Sequence, residues 1–106
     1  MLIVSGTMRM SPDAVEPFLA AAADVSRATR EESGCFAYHF SEDELEPGLV
    51  HVYERWTDHD TLMHHLTLDH VTTFRTAIGG LGARESDIIM YEVTPLGPPT
   101  MPTKAS

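Results

Sequence analysis

Glu54-Arg55-Trp56 closes a β-branched and aromatic run over residues 49–56, and it is the first place in this chain where chemistry could sit. On a strand, Glu54 and Trp56 share one face with Val50 and Val52. A hairpin pairing residue 38 with residue 52 would add Phe36, Tyr38 and Phe40 to that face. A carboxylate on such an apolar wall is desolvated, so its pKa rises toward the range of a general base. Two readings of Glu54 stand: such a base, or a carboxylate satisfied by an Arg, a His or backbone donors. Trp56 likewise reads as core or as the aromatic wall of a pocket.

The chain has six histidines, and His59, His64, His65 and His70 fall together in its second helical region. Their spacings of five, one and five residues differ from the i,i+4 pair that sets two imidazoles on one helix face, and no HExxH occurs. His39 and His51 would face each other across the hairpin, but ligation needs a third group of defined geometry, so no metal site is expected. His59 and His64 read as solvated. On an unbroken helix His70 continues the stripe of Leu66 and Phe74 and points inward, with His65 on the flank. There His70 is either a core imidazole held by one hydrogen bond or part of a site. Cys35 has no helix N-terminus or lysine beside it to favour a thiolate, and reads as a small strand residue. The acidic stretch Glu42–Glu46 lacks the ligand spacing of a calcium loop and reads as a solvated turn. The glycines near residue 80 follow a helix instead of opening one, which leaves no phosphate cradle.

The elements that must position these residues follow from periodicity. Residues 2–10 read as a strand. Ser11-Pro12-Asp13 opens a helix with Val15, Phe18, Leu19, Ala22, Val25 and Ala28 on its inner stripe, and Gly34 ends the pattern. Pro17 predicts a late start or a kink. Residues 35–40 and 49–56 form a hairpin across a long acidic loop. Thr57 or Asp58 caps the second helical region, whose stripe is Leu62, Leu66, Phe74, Ile78 and Leu81, with a break available at Leu68-Asp69. Residues 87–95 make a last strand. The order βαββαβ predicts a ferredoxin-like α+β fold, an antiparallel sheet with both helices on one face. The other face would be bare and partly apolar, and pairing two sheets in a homodimer is the simplest cover.

Length and composition bound the rest. At 106 residues and 11.7 kDa the chain reads as one domain over residues 1–95 with a proline-rich tail over 96–106. Sixteen acidic against seven basic side chains give a net charge of −9, which disfavours nucleic acid and anionic membrane surfaces as partners. The longest strictly apolar run, Phe18–Ala23, is six residues and far short of a membrane span. A lone cysteine and an N-terminus without a basic flank predict a cytoplasmic location. Asn and Gln are absent, so no side-chain amide serves any site here.

Glu32-Ser33-Gly34-Cys35, then Tyr38, then Glu54-Arg55-Trp56, then His65 and five residues later His70 together resemble the pattern of the antibiotic biosynthesis monooxygenase family, which includes bacterial quinol monooxygenases. The resemblance spans residues 2 to about 95. It implies a dimeric α+β barrel with a pocket between sheet and helices in each protomer. It implies a small aromatic, phenolic or quinol-like substrate oxidised by dioxygen with no flavin, haem, metal or other cofactor. Carried over residue by residue, Glu54 or His65 accepts the proton and His70 is a second polar contact. Trp56 and Tyr38 are aromatic walls, with Phe36 and Phe74 as further substrate contacts. The absence of asparagine departs from the haem-degrading branch, and Leu62 stands where some polyketide-oxidising members carry a tyrosine. The same scaffold would also serve a proton-transfer isomerase or lyase, or a non-catalytic dimeric protein that binds apolar small molecules.

Overall fold

Alternating apolar residues give two-faced strands, and β1 (Leu2–Arg9) and β3 (Leu49–Trp56) pair antiparallel from Leu2 opposite Trp56 to Arg9 opposite Leu49. The computed structural model describes residues 1–103. β2 (Cys35–Glu42) adds to β3 and β4 (Ile89–Glu92) to β1, so the antiparallel sheet runs β2-β3-β1-β4. α1 (Pro12–Thr29), α2 (His59–His65) and α3 (Asp69–Ile78) cover one face. This is the ferredoxin-like α+β fold. Even-numbered residues of β1 and β3 face the helices, and two apolar clusters fill the layer between. One joins Leu2, Val4, Val25, Tyr38, Trp56 and Leu62; the other joins Met10, Val15, Phe18, Ala22 and Val50. Phe40 and Phe74 pack on both clusters and meet Phe18 edge-on at 5.7 and 5.8 Å.

Several sequence expectations need correction. α1 starts at Pro12 and runs through Pro17 without a break. Pro17 lies on the exposed side, where water can satisfy the carbonyl that loses its donor. Of the two caps expected, Asp58 is the one α2 uses, its carboxylate accepting the Thr61 N–H at 2.8 Å. The second helical region does break, and Leu66 is left exposed instead of joining the inner stripe. The hairpin pairs Tyr38 with Glu54 and Phe40 with Val52, two residues from the expected register. Asp43 closes a shorter loop by accepting the Leu45 and Glu46 N–H groups, which sets that register. His39 therefore lies opposite Tyr53, and His51 bonds Asp43 at 2.8 Å; the two histidines do not face each other.

A two-residue shift keeps Tyr38 and Phe40 on the helix side, but a bulge between Cys35 and Ala37 reverses Phe36. Phe36 is 54% exposed, with the Arg55 guanidinium over its ring at 5.6 Å. It does not join the wall of Tyr38, Phe40 and Trp56. β4 is also shorter than expected, because Glu92 already lies opposite Leu2 and the strand runs off the end of β1. Residues 93–103 form no helix or strand.

The segment before β4 presses on β1. Arg84 and Arg9 exchange backbone hydrogen bonds, and Asp87 donates its N–H to Thr7 while its carboxylate accepts the Thr7 N–H at 2.7 Å. A Cβ on Gly6 would lie 2.6 Å from the Ile88 Cα and 2.7 Å from the Asp87 carbonyl oxygen, both backbone atoms that cannot swing aside. Gly6→Ala is therefore expected to destabilise the fold by about 1–3 kcal/mol through overpacking and to speed amide exchange in β4. Gly80→Ala, where a Cβ meets nothing within 4 Å, serves as the comparison and should leave both thermal melt and exchange unchanged.

Candidate active site

The end of the sheet where β2 begins and β3 ends gathers the candidate residues. Trp56, wholly buried, closes β3 opposite Cys35, and its indole N–H donates to Glu54 Oε1 at 3.0 Å. Tyr38 lies opposite Glu54 on the neighbouring strand. The turn between α1 and β2 brings in Glu32, two residues before Gly34, whose φ of +86° suits a residue without a side chain. The Thr57 N–H donates to the Gly34 carbonyl at 2.9 Å, tying that turn to the entry of α2.

The break between α2 and α3 decides where the histidines go. In a continuous helix, residues five apart point about 140° away from each other. Here His65 is the last residue of α2 and His70 the second of α3, and both turn onto Glu32. One carboxylate oxygen, Oε2, receives His65 Nδ1 at 2.8 Å and His70 Nε2 at 2.7 Å. An ionised carboxylate only accepts, so both imidazole nitrogens facing it carry hydrogen. In neutral rings that assignment leaves lone pairs on His65 Nε2 and His70 Nδ1. The expected order of burial is reversed: His65 is 2% exposed, and the His70 side chain, at 27%, stands at the rim. The His65 ring lies 4.7 Å from Trp56 and 5.4 Å from Tyr38.

Electrostatics separate the roles of these groups. Burial pushes the Glu54 carboxyl up to about 7, the Trp56 N–H partly offsetting this and the nearby Glu32 charge adding to it. Burial lowers the His65 pKa despite its bond to Glu32, so this imidazole is neutral near pH 7. Burial raises the Tyr38 phenol, with Glu54 and Glu32 adding, which keeps it a hydroxyl donor. Burial and the same two carboxylates also raise the Cys35 thiol, consistent with a strand residue and no nucleophile.

A half-open pocket of about 160 Å³ lies between α1 and α3, lined among others by Asp24, Val25, His70, Thr73 and Phe74. A buried cavity of about 150 Å³ can hold benzene, so this volume suits a single ring. His70 is the one member of the Glu32, His65, His70 group on its wall, and Phe74 is its aromatic side. Trp56, Tyr38 and His65 stand behind as a closed aromatic layer. Of the residues expected from sequence, Glu54, Trp56, Tyr38, His65 and His70 thus come together and Phe74 borders them, while Phe36 does not. Glu32 stood in the sequence only as part of a pattern, with no role assigned. Its signal was position: a carboxylate in the turn entering β2, at the sheet end where Trp56 finishes and the histidine-bearing helices begin.

The raised Glu54 carboxyl has a measurable consequence for stability. The folded chain holds that proton where the unfolded chain, with an ordinary value of 4.5, has already lost it. Glu54 therefore favours folding at low pH, and that contribution is lost as pH rises from 4.5 through about 7. Glu54→Gln keeps an oxygen for the Trp56 N–H and carries no charge. Melts across this pH range should show the variant more stable than the parent above pH 7, by on the order of 2 kcal/mol, and equal to it near pH 4.5.

The family model of the antibiotic biosynthesis monooxygenases matches residues 1–77, from β1 to the last turn of α3. A crystal structure from Deinococcus radiodurans, provisionally assigned to that family, is 29% identical with a TM-score of 0.84, covering 95% of this chain and 100% of its own. The structure of another antibiotic biosynthesis monooxygenase is 25% identical with a TM-score of 0.78, covering 90% of this chain and 100% of that one. Uncharacterized protein sll1783 of Synechocystis sp. is 28% identical over 92 residues, which make up 87% of this chain and 63% of that protein. The chain thus spans less than two thirds of the length of this curated relative. The matched stretch contains both strands of the hairpin and the turn and helices that carry Glu32, His65 and His70, and the chain belongs to the antibiotic biosynthesis monooxygenase family.

Proposed function

We propose that this chain is a cofactor-independent monooxygenase that oxidises a small phenol or quinol with dioxygen. The observation that carries this reading is the part-buried carboxylate of Glu32 orienting two imidazoles, one of which lines a pocket sized for one ring. The ring enters beside Phe74 and presents its hydroxyl to the lone pair left on His70 Nδ1. Deprotonation passes the proton to the imidazole–carboxylate group, with Glu54 as a second base whose value near 7 suits it to neutral pH. The phenolate is electron-rich enough to reduce dioxygen itself. For a quinol the balance is one substrate and one dioxygen giving one hydroxyquinone and one water. The buried rings of Tyr38, Trp56 and His65 close the inner side of the site to water.

The assembly we propose is a homodimer formed through the face of the sheet opposite the helices. Phe36, Ile89 and Tyr91 are each about half exposed there, and the buried Arg55 Nε lacks a partner among the described residues. The chain exposes 7209 Å², against about 5,900 Å² for a compact monomer of this mass. The exposed residues 94–103 contribute to that excess, and a covered sheet face would remove part of it.

Oxygen uptake by tag-free protein, given quinols reduced anaerobically, tests the activity. Consumption above autoxidation, at one dioxygen per quinol, is expected. Glu32→Gln and Glu54→Gln should each slow it, with general-base losses on the order of 10²-fold. The rise of rate with pH through about 7 should disappear in Glu54→Gln. A folded protein that binds quinols and consumes no oxygen would overturn the oxygenase and leave the binding protein. Conversion of substrate without oxygen would establish the isomerase or lyase instead.

A further inference from the structure

Glu32, His65 and His70 each offer one ligand atom, and the three atoms lie within 4.8 Å of one another. We propose that they form a binding site for one divalent transition-metal ion, and that a bound ion silences the proton-transfer group. The second half rests on the proposed oxygenase; the first rests on the geometry alone. The Glu32 oxygen is 2.8 Å from His65 Nδ1 and 2.7 Å from His70 Nε2. Zinc bonds to imidazole nitrogen and carboxylate oxygen of about 2.0–2.2 Å put tetrahedral ligand atoms roughly 3.4 Å apart. Each imidazole nitrogen therefore needs to draw back from the Glu32 oxygen by roughly 0.6–0.7 Å to admit the ion, not to assemble from a distance.

The spacing of the histidines argued against a metal because it considered the helix alone. The missing third group comes from the turn before β2, more than thirty residues earlier in the chain. Its scaffold is fixed: His65 is buried against Trp56 and Tyr38, and Glu32 is 11% exposed. Two imidazoles and one carboxylate suit zinc, cobalt or ferrous iron better than calcium or magnesium, which take mostly oxygen ligands. The remaining coordination position would lie toward the pocket beside His70, which is also the way in from solvent. Each neutral imidazole would bind through the nitrogen that now donates to Glu32, and its proton would move to the other ring nitrogen. That shift removes the lone pairs on His65 Nε2 and His70 Nδ1 with no net change in protons. An ion here therefore takes away the imidazole base to which the substrate hydroxyl is presented.

Cobalt(II) titration of chelator-treated, tag-free protein tests the site directly. The visible bands of four-coordinate cobalt should grow to one equivalent per chain. His70→Ala and Glu32→Gln should weaken binding by about tenfold or more, since even outer-shell changes cost metal sites that much. His59→Ala combined with His64→Ala, two exposed positions outside the trio, should leave it unchanged. Circular dichroism of each variant confirms that it is folded. No bands, or bands that survive in folded His70→Ala and Glu32→Gln, would remove the metal site and leave the oxygenase untouched. With binding established, zinc should abolish quinol-dependent oxygen uptake and a chelator should restore it. Uptake indifferent to bound zinc would overturn the silencing, and uptake that requires the metal would overturn the cofactor-free reading.

Discussion

The carboxylate of Glu32 is the constraint on which this end of the molecule depends. A carboxylate only 11% exposed must find donors or lose its charge. It finds them in two imidazoles that arrive from different helices at a single oxygen. Hydrogen bonds to a charged group contribute about 1.5–3 kcal/mol each, and a donor removed from a buried carboxylate costs more than the bond itself. Three local features are thereby coupled. The left-handed turn at Gly34 presents Glu32, the break after His65 lets both histidines reach it, and the Thr57 to Gly34 bond fixes one against the other. A Cβ on Gly34 would lie 2.7 Å from Thr61 Cγ2, so the turn glycine also sets how closely α2 approaches.

Much of this architecture is legible in the sequence, for identifiable reasons. Strand alternation at Val50, Val52, Glu54 and Trp56 gives their common face whatever the hairpin register, because a slip of two residues preserves the face. Tyr38 therefore landed correctly in spite of the wrong partner. Phe36 did not, since a bulge adds a single residue and reverses everything on its far side, and no residue in Cys35-Phe36-Ala37 announces one. The helix break was visible as Leu68-Asp69, but its consequence was not. An unbroken helix puts His70 inside and His65 on the flank, and the break exchanges them. Glu32 was hidden because its partners lie more than thirty residues away, a distance that no local periodicity spans.

The two faces of the sheet carry different demands. The helix side is filled by aromatic rings at edge-to-face distances, and Tyr38, Trp56 and His65 form a continuous buried layer. The opposite side leaves Phe36, Ile89 and Tyr91 in water. The Phe36 bulge therefore acts on both sides at once. It carries an aromatic away from the candidate site and adds it to the surface where a second copy would sit, with Arg55 stacked on it. A register error in this hairpin would damage the site and the apolar face together.

Glu54 and Glu32 show how one short segment of fold gives two carboxylates different chemistry. Glu32 has two imidazole donors and serves as an anchor. Glu54 has one indole donor and an apolar wall, and it is the one pushed to about 7. The charge on Glu32 itself contributes to that rise, so the anchor raises the Glu54 carboxyl as well as orienting the imidazoles. The two imidazole donors that hold the Glu32 carboxylate are also the groups a metal ion would recruit. The three side chains that would move the proton in the proposed reaction are, for that reason, the ones an ion would compete for.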